Sequence, residues 1–285
     1  MCIRDSRDGK LTCWPLASDV LYYDHIAVER GTMPVKGSRN LELAELDVAH
    51  NGDGADVDLQ LTALLNRARS FMTLGKWADA VDDYVKIWKV KSDAPRRIWA
   101  MQDLAELLVQ LGAYDDAAVI ARELSADGRY PDIAALLMAR ARMGQGRHRE
   151  ALELLRRVDN PHNAIGFSTG TTTTIEARMI AAANCGELDE AAACCIQLFA
   201  SHGVIPGRGR LLLKLWGDRS AGDLADLLVE DGSAHVPAMM TEFESLGASA
   251  AAVLQALQAR TGSPSAPSGR QGASVGSPSL FFGKP

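Results

Sequence analysis

One short pattern occurs four times along the chain. GKWADA at 75–80, GAYDDA at 112–117, GRHREA at 146–151 and GELDEA at 186–191 each open on glycine. Each then places a bulky residue two positions later and an alanine three beyond that. The glycines are 37, 34 and 40 residues apart, a spacing expected of arrays built from helix pairs. In the first unit Leu61, Leu64, Leu65, Ala68 and Phe71 fall on one face of a helix. Gly75 is predicted to end that helix, because glycine enters the left-handed conformation without a Cβ penalty. Trp77, Ala80, Val81, Tyr84 and Trp88 make a second amphipathic stripe. Helices joined by so short a turn run antiparallel, and Ala68 and Ala80 predict backbones in close approach. Trp77 is expected buried in the wedge beside the turn, so that Trp77→Ala would cost roughly 3–5 kcal/mol.

At these offsets the chain resembles the tetratricopeptide repeat (TPR), whose signature reads small, aromatic, Gly, aromatic, Ala, aromatic. The first unit supplies Ala68, Phe71, Gly75, Trp77, Ala80 and Tyr84, and the second Ala105, Leu108, Gly112, Tyr114, Ala117 and Ala121. The third supplies Ala139, Arg142, Gly146, His148, Ala151 and Leu155, and the fourth Met179, Ala182, Gly186, Leu188, Ala191 and Cys195. The match weakens along the chain, and two steps depart from 34 residues. The expected fold is all-α: a TPR-like helical-hairpin solenoid, preceded by a short α/β remnant and followed by a disordered tail. The resemblance implies a concave face lined by the first helix of each pair. Arg69, Met72, Trp99, Gln102, Glu106, Arg140 and Met143 would lie there, suited either to a peptide or partner helix or to packing against another domain of the same protein.

Punctuation fixes the expected boundaries. Asp93 and Pro95 mark a helix start. Thr173 with Glu176 reads as a capping box, which assigns residues 160–172 to a loop; the threonine run is a helix start or, alternatively, a phosphate nest. Three further short helices are expected in GDLADLLVEDG, PAMMTEFESLG and ASAAAVLQALQAR, closing the open end of the array. From Thr261 the composition turns to Ser, Pro and Gly with little to bury. The closing SLFFGKP is a docking motif or simply the end of that tail. The opening MCIRDSR resembles a translated sequencing adapter, so residues 1–7 are set aside and the true chain is expected to begin further upstream. The expected division is 8–58 for the remnant and linker, 59–203 for the repeats, 204–260 for the capping helices and 261–285 for the tail.

Charge and composition exclude more than they assign. A net charge of −6 with no basic cluster argues against nucleic acid, and no helix-turn-helix is visible to support a regulatory DNA-binding reading. No apolar run reaches the roughly 18 residues that span a bilayer, and no signal-peptide core is present, so a cytoplasmic location is expected. The five cysteines, Cys2, Cys13, Cys185, Cys194 and Cys195, have no metal-ligand spacing and read as small hydrophobes, with a redox or metal role as the alternative. PGRGRLLLKLW sets Arg208, Arg210 and Lys214 at a helix start, either solvated or holding an anion. NGDGADVD lacks the order of a calcium loop and reads as a linker ending in a helix cap. His25, in the strand-like VLYYDHIAV, is structural or a ligand. No Ser/His/Asp set, nucleotide loop or paired carboxylates stand out.

One stretch carries a hint of chemistry. His25, then Lys36, Arg39 and Asn40, then LELAEL, followed at once by a TPR-like pair, resembles the end of the catalytic domain in family 2 glycosyltransferases with TPR-type tails. There a His-bearing strand is followed by a short loop, Lys-x-x-Arg-Asn and a helix. The resemblance implies a GT-A catalytic domain upstream, using a nucleotide-sugar donor and a divalent metal. No cofactor is expected in this chain itself. His25 would sit at the donor-site rim with Lys36 and Arg39 in the loop nearby, cations and imidazole suiting a diphosphate. Asp56 and Asp58 cannot supply that family's Asp-x-Asp, because they follow the catalytic domain. The repeats would be an accessory region contacting a protein or the upstream domain. The alternative is a stand-alone, non-enzymatic TPR scaffold.

Overall fold

The computed structural model describes residues 3–4, 11–12, 33–51, 56–159, 161–162, 171–202, 207–232 and 235–262. His25, residues 160 and 163–170 of the expected loop, and the tail beyond 262, SLFFGKP included, lie outside the described residues. The chain divides into two compact units, one comprising Met1–Gly144 with His162–Phe167, the other Gln145–Pro161 with Ser168–Pro285. Among the described residues, apart from one antiparallel pair of two-residue strands, β1 (Ile3–Arg4) and β2 (Leu11–Thr12), the regular structure is helical.

The first unit stacks α1 (Met33–His50), α2 (Val57–Thr73), α3 (Trp77–Lys89), α4 (Pro95–Gln110), α5 (Tyr114–Asp127) and α6 (Pro131–Gly144), each packed on the next. Asp56 caps α2 by accepting from the Asp58 N–H, and Pro95 is the first residue of α4, as the linker and helix-start readings require. The turn glycines Gly75 and Gly112 have φ of +72° and +78°. Each donates to the carbonyl three residues back, while the next residue reaches five back: Lys76 to Phe71 and Ala113 to Leu108. This paired arrangement satisfies carbonyls that a helix end leaves open. Ala68, Ala80, Ala105 and Ala117 are fully buried where the hairpin backbones meet.

Packing overturns expectations in this unit. Trp77 is not in the core but 43% exposed. It begins α3, and the buried face of that helix is carried instead by Ala80, Asp83, Tyr84 and Ile87, which meet α2 and α4. The loop that the resemblance implies for Lys36 and Arg39 is also absent, because α1 runs through both. Gly37, Leu41 and Ala44 are its buried residues, at i, i+4 and i+7, one helical face. Gly37 is small for a reason: a Cβ there would fall 2.9 Å from Leu74 Cδ2.

The second unit contains α7 (His148–Leu155), α8 (Thr171–Cys185), α9 (Leu188–His202), α10 (Arg208–Trp216), α11 (Ala221–Gly232), α12 (Val236–Ser245) and α13 (Ala251–Thr261), with a 3-10 turn at Gly247–Ala250. Gly186 repeats the left-handed turn between α8 and α9, with φ +78° and Glu187 donating to Ala182. Ala191, Cys195, Leu198 and Phe199 of α9 are buried, and α9 packs against α8, α10 and α11. The three short helices expected after residue 203 are α11, α12 and α13, and α10 precedes them. The expected capping box is replaced by helix, since α8 already begins at Thr171. Thr174 and Ile175 are buried there, and the Glu176 carboxylate pairs with Arg208 rather than reaching back to the backbone.

Candidate protein-interaction surface

In the first unit α2 packs against α4 and α4 against α6, whereas α3 and α5 do not meet to a comparable degree. Successive first helices are therefore nearer neighbours than successive second helices, which places α2, α4 and α6 on the inner side of the stack. Arg69, Trp99, Gln102, Glu106 and Arg140 all lie on these three helices.

The side chains are organised by the repeat itself. Arg69 of α2 pairs with Asp103 of α4 at 2.8 Å, and Arg140 of α6 pairs with Glu106 of α4 at 2.7 Å. Both partners are 34 residues apart, one repeat period. The Arg69 guanidinium carbon also lies 3.4 Å from the centre of the Trp99 ring, a cation–π stack. From α3 the Tyr84 hydroxyl donates to Asp103 Oδ2 at 3.3 Å. Burial raises the Asp103 carboxyl above its ordinary range although Arg69 pulls the other way. Burial likewise raises the Tyr84 phenol, so it stays neutral and donates. Further along, Arg96 pairs with Asp58, while Glu123 accepts from both Arg97 and the Trp88 indole.

The inner surface thus carries charge in neutralised pairs. Trp99, Met72 and Met143 are half-buried beside them. Gln102 departs from expectation: it is buried and does not belong to an open face. Asp103 and Tyr84, absent from the sequence-level candidates, hold Arg69 in place. The signal for Asp103 was its distance of one period from Arg69.

The same ladder recurs in the second unit. Glu190 of α9 accepts from Arg156, 34 residues earlier, and from Arg178 of α8. Burial alone would raise its carboxyl, but the two arginines outweigh that and hold it low. Arg260 reaches Asp226 across another 34 residues. The candidate anion site at the start of α10 is filled from within: Glu242 accepts from the N–H groups of Gly207 and Gly209 at 2.9 and 3.3 Å. Arg210 and Lys214 are exposed there, as a solvated helix start requires, but Arg208 is buried against Glu176.

The chemistry of the remaining candidates is equally plain. Cys194 and Cys195 are buried free thiols, pushed up by desolvation to about 11 and about 12, which disfavours the reactive thiolate. Among the described residues no group of His, Cys, Asp or Glu could hold a metal ion, and Asp58 is engaged by Arg96. Lys36 and Arg39 are exposed on α1. No helix among the described residues is long and apolar enough to cross a membrane.

Helix pairs, left-handed glycine turns and a 34-residue side-chain ladder define a TPR-like helical-hairpin protein. No family model and no curated protein matches the sequence. Solved structures similar to this chain include a tetratricopeptide repeat protein from Parabacteroides merdae, at 14% identity and TM-score 0.49, covering 81% of this chain and 93% of that one. A thermophilic TPR protein of Thermus thermophilus aligns at 18% identity and TM-score 0.42, covering 68% and 99%. BtubC from P. vanneervenii aligns at 17% identity and TM-score 0.41, covering 90% and 99%.

Proposed function

We propose that this chain is a protein-interaction region that holds a peptide or helix of a partner against α2, α4 and α6. The observation that carries this reading is the ion-pair ladder of that layer. Charges already neutralised in fixed pairs give the surface orientation and hydrogen-bonding edges without a large field. Half-buried Trp99, Met72 and Met143 supply apolar area that can adapt to a ligand. The matching ligand is a largely apolar segment with a few polar groups. A displayed peptide library selected on the full chain tests it. Selected peptides should lose about tenfold or more in affinity with Trp99→Ala or Arg140→Glu and none with Trp77→Ala. Peptides indifferent to the first two variants would remove this face as the binding surface.

A finer proposal rests on the resemblance of the region around His25, Lys36, Arg39 and Asn40. In it, the repeats are the accessory region of a family 2 glycosyltransferase, whose upstream catalytic domain takes a nucleotide-sugar donor with a divalent metal. Lys36 and Arg39 would then approach the donor diphosphate from a helix rather than a loop, with His25 at the rim. Resequencing the gene upstream of the Asp8 codon decides it. A continuous reading frame with a strand-flanked Asp-x-Asp would support the assignment, and a stop codon close upstream would leave the stand-alone scaffold.

A further inference from the structure

Among the described residues α1 has one substantial neighbour, α2, and buries Gly37, Leu41 and Ala44 against it. The opposite side carries exposed apolar residues beside charged ones: Val35 is 73% and Leu46 67% exposed, with Leu43 at 55% on the flank. Arg39, Glu42 and Ala49 are exposed on the same side. Residues 35, 39, 42, 46 and 49 are spaced by four, three, four and three, the alternation that keeps a seam facing a partner helix.

The seam is complementary to itself. When two copies of one helix pack antiparallel about a two-fold axis, position i faces position j and j faces i. An axis midway between residues 39 and 42 sets Arg39 of each copy against Glu42 of the other. The same axis, without further adjustment, sets Val35 of each copy against Leu46 of the other. Opposite charges meet at the centre and apolar residues meet on both sides. A parallel pairing would instead oppose Arg39 to Arg39 and Glu42 to Glu42, which costs energy. Leu43 lies on the flank of the seam, where a second helix would cover it.

We infer that this face of α1 is a homodimer interface, formed by two copies of the chain packing α1 antiparallel with Arg39 against Glu42. The ionic pair selects direction and register, and the Val35–Leu46 contacts supply the apolar burial. One helix pair is a small interface, below the roughly 1,200 Å² of standard complexes, so the association is concentration-dependent. The inference stands on α1 alone and does not depend on the inner face of α2, α4 and α6; it competes with the donor-site reading for Arg39, which cannot meet a diphosphate and Glu42 of a second copy at once.

The test is sedimentation equilibrium of the full chain across the micromolar range, with thermal melts on every variant to confirm folding. The wild-type chain should pass from monomer to dimer. Arg39→Glu and Glu42→Arg should each weaken the dimer about tenfold or more. Each copy's residue 39 faces its partner's residue 42, so a chain carrying both substitutions should regain wild-type affinity. An equimolar mixture of the two single variants should form a heterodimer. Leu46→Asp should abolish association. A wild-type chain that stays monomeric overturns the inference, and a loss of thermal stability in Leu46→Asp would then assign the face to a segment of the same chain. A dimer unaffected by the charge reversals, or not restored by the double swap, places the interface elsewhere.

Discussion

Arg69 holds its guanidinium carbon 3.4 Å from the centre of the Trp99 ring while pairing with Asp103, one repeat further along. Stack and ion pair fix one side chain in two directions, so the contacts should couple. Arg69→Ala is expected to cost about 1–2 kcal/mol, and a double-mutant cycle with Trp99→Ala should return a coupling of about 0.5–1 kcal/mol. Arg69→Lys should recover little, since an ammonium has neither the planar stack nor the fork. Urea midpoints measure each value.

Tyr114 and Gly144 interlock. A Cβ on Gly144 would lie 2.2 Å from the Tyr114 ring. Gly144→Ala should therefore cost roughly 1–3 kcal/mol through overpacking. In a Tyr114→Ala background the same substitution should become nearly neutral, and an unchanged cost there would mean that backbone, not the ring, sets the limit.

Trp77 and Tyr84 belong to the same helix but to different environments. With Trp77 43% exposed, Trp77→Ala should cost less than about 1 kcal/mol, against roughly 3–5 kcal/mol for the buried Tyr84→Ala. Denaturant titration of both variants checks the order, and the reverse order would return Trp77 to the core.

Asp83 is buried and held by both Arg67 Nε and Lys86. Asp83→Ala leaves Arg67 without its carboxylate in a half-buried site. Thermal unfolding should show a loss of about 1–3 kcal/mol, short of a fully buried pair because Arg67 and Lys86 keep access to water.

Cys194 and Cys195 predict an alkaline limit. Their thiols lie at about 11 and about 12 in the folded chain, against 9.0 ordinarily. Below pH 9.0 both states keep these protons and stability is intact. Above it the unfolded chain gives them up first, so stability falls as pH rises toward the folded values, by at most about 1.4 kcal/mol per pH unit for each thiol. Relative to wild type, Cys194→Ala/Cys195→Ala should flatten that fall when unfolding midpoints at pH 8 and about 10 are compared.

The repeat was legible because its cause is local. Gly75, Gly112 and Gly186 announce themselves wherever a left-handed turn must follow a helix, and Ala68, Ala80, Ala105 and Ala117 mark where two backbones meet. Amphipathic stripes likewise declared α2 and α3, since the 3.6-residue period is written into the order of residues. What was not legible depends on neighbours distant in sequence. Trp77 and Tyr84 both fit the aromatic positions of the pattern, and only the packing of α3 against α2 and α4 decides that one is open and the other enclosed. By resemblance Lys36 and Arg39 belonged to a loop until Gly37, Leu41 and Ala44 found a surface on α2, and Gln102 read as open until its layer closed over it. Periodicity fixes which residues share a face. Which face is covered, and which arginine meets which carboxylate one period away, is set only when the helices stack.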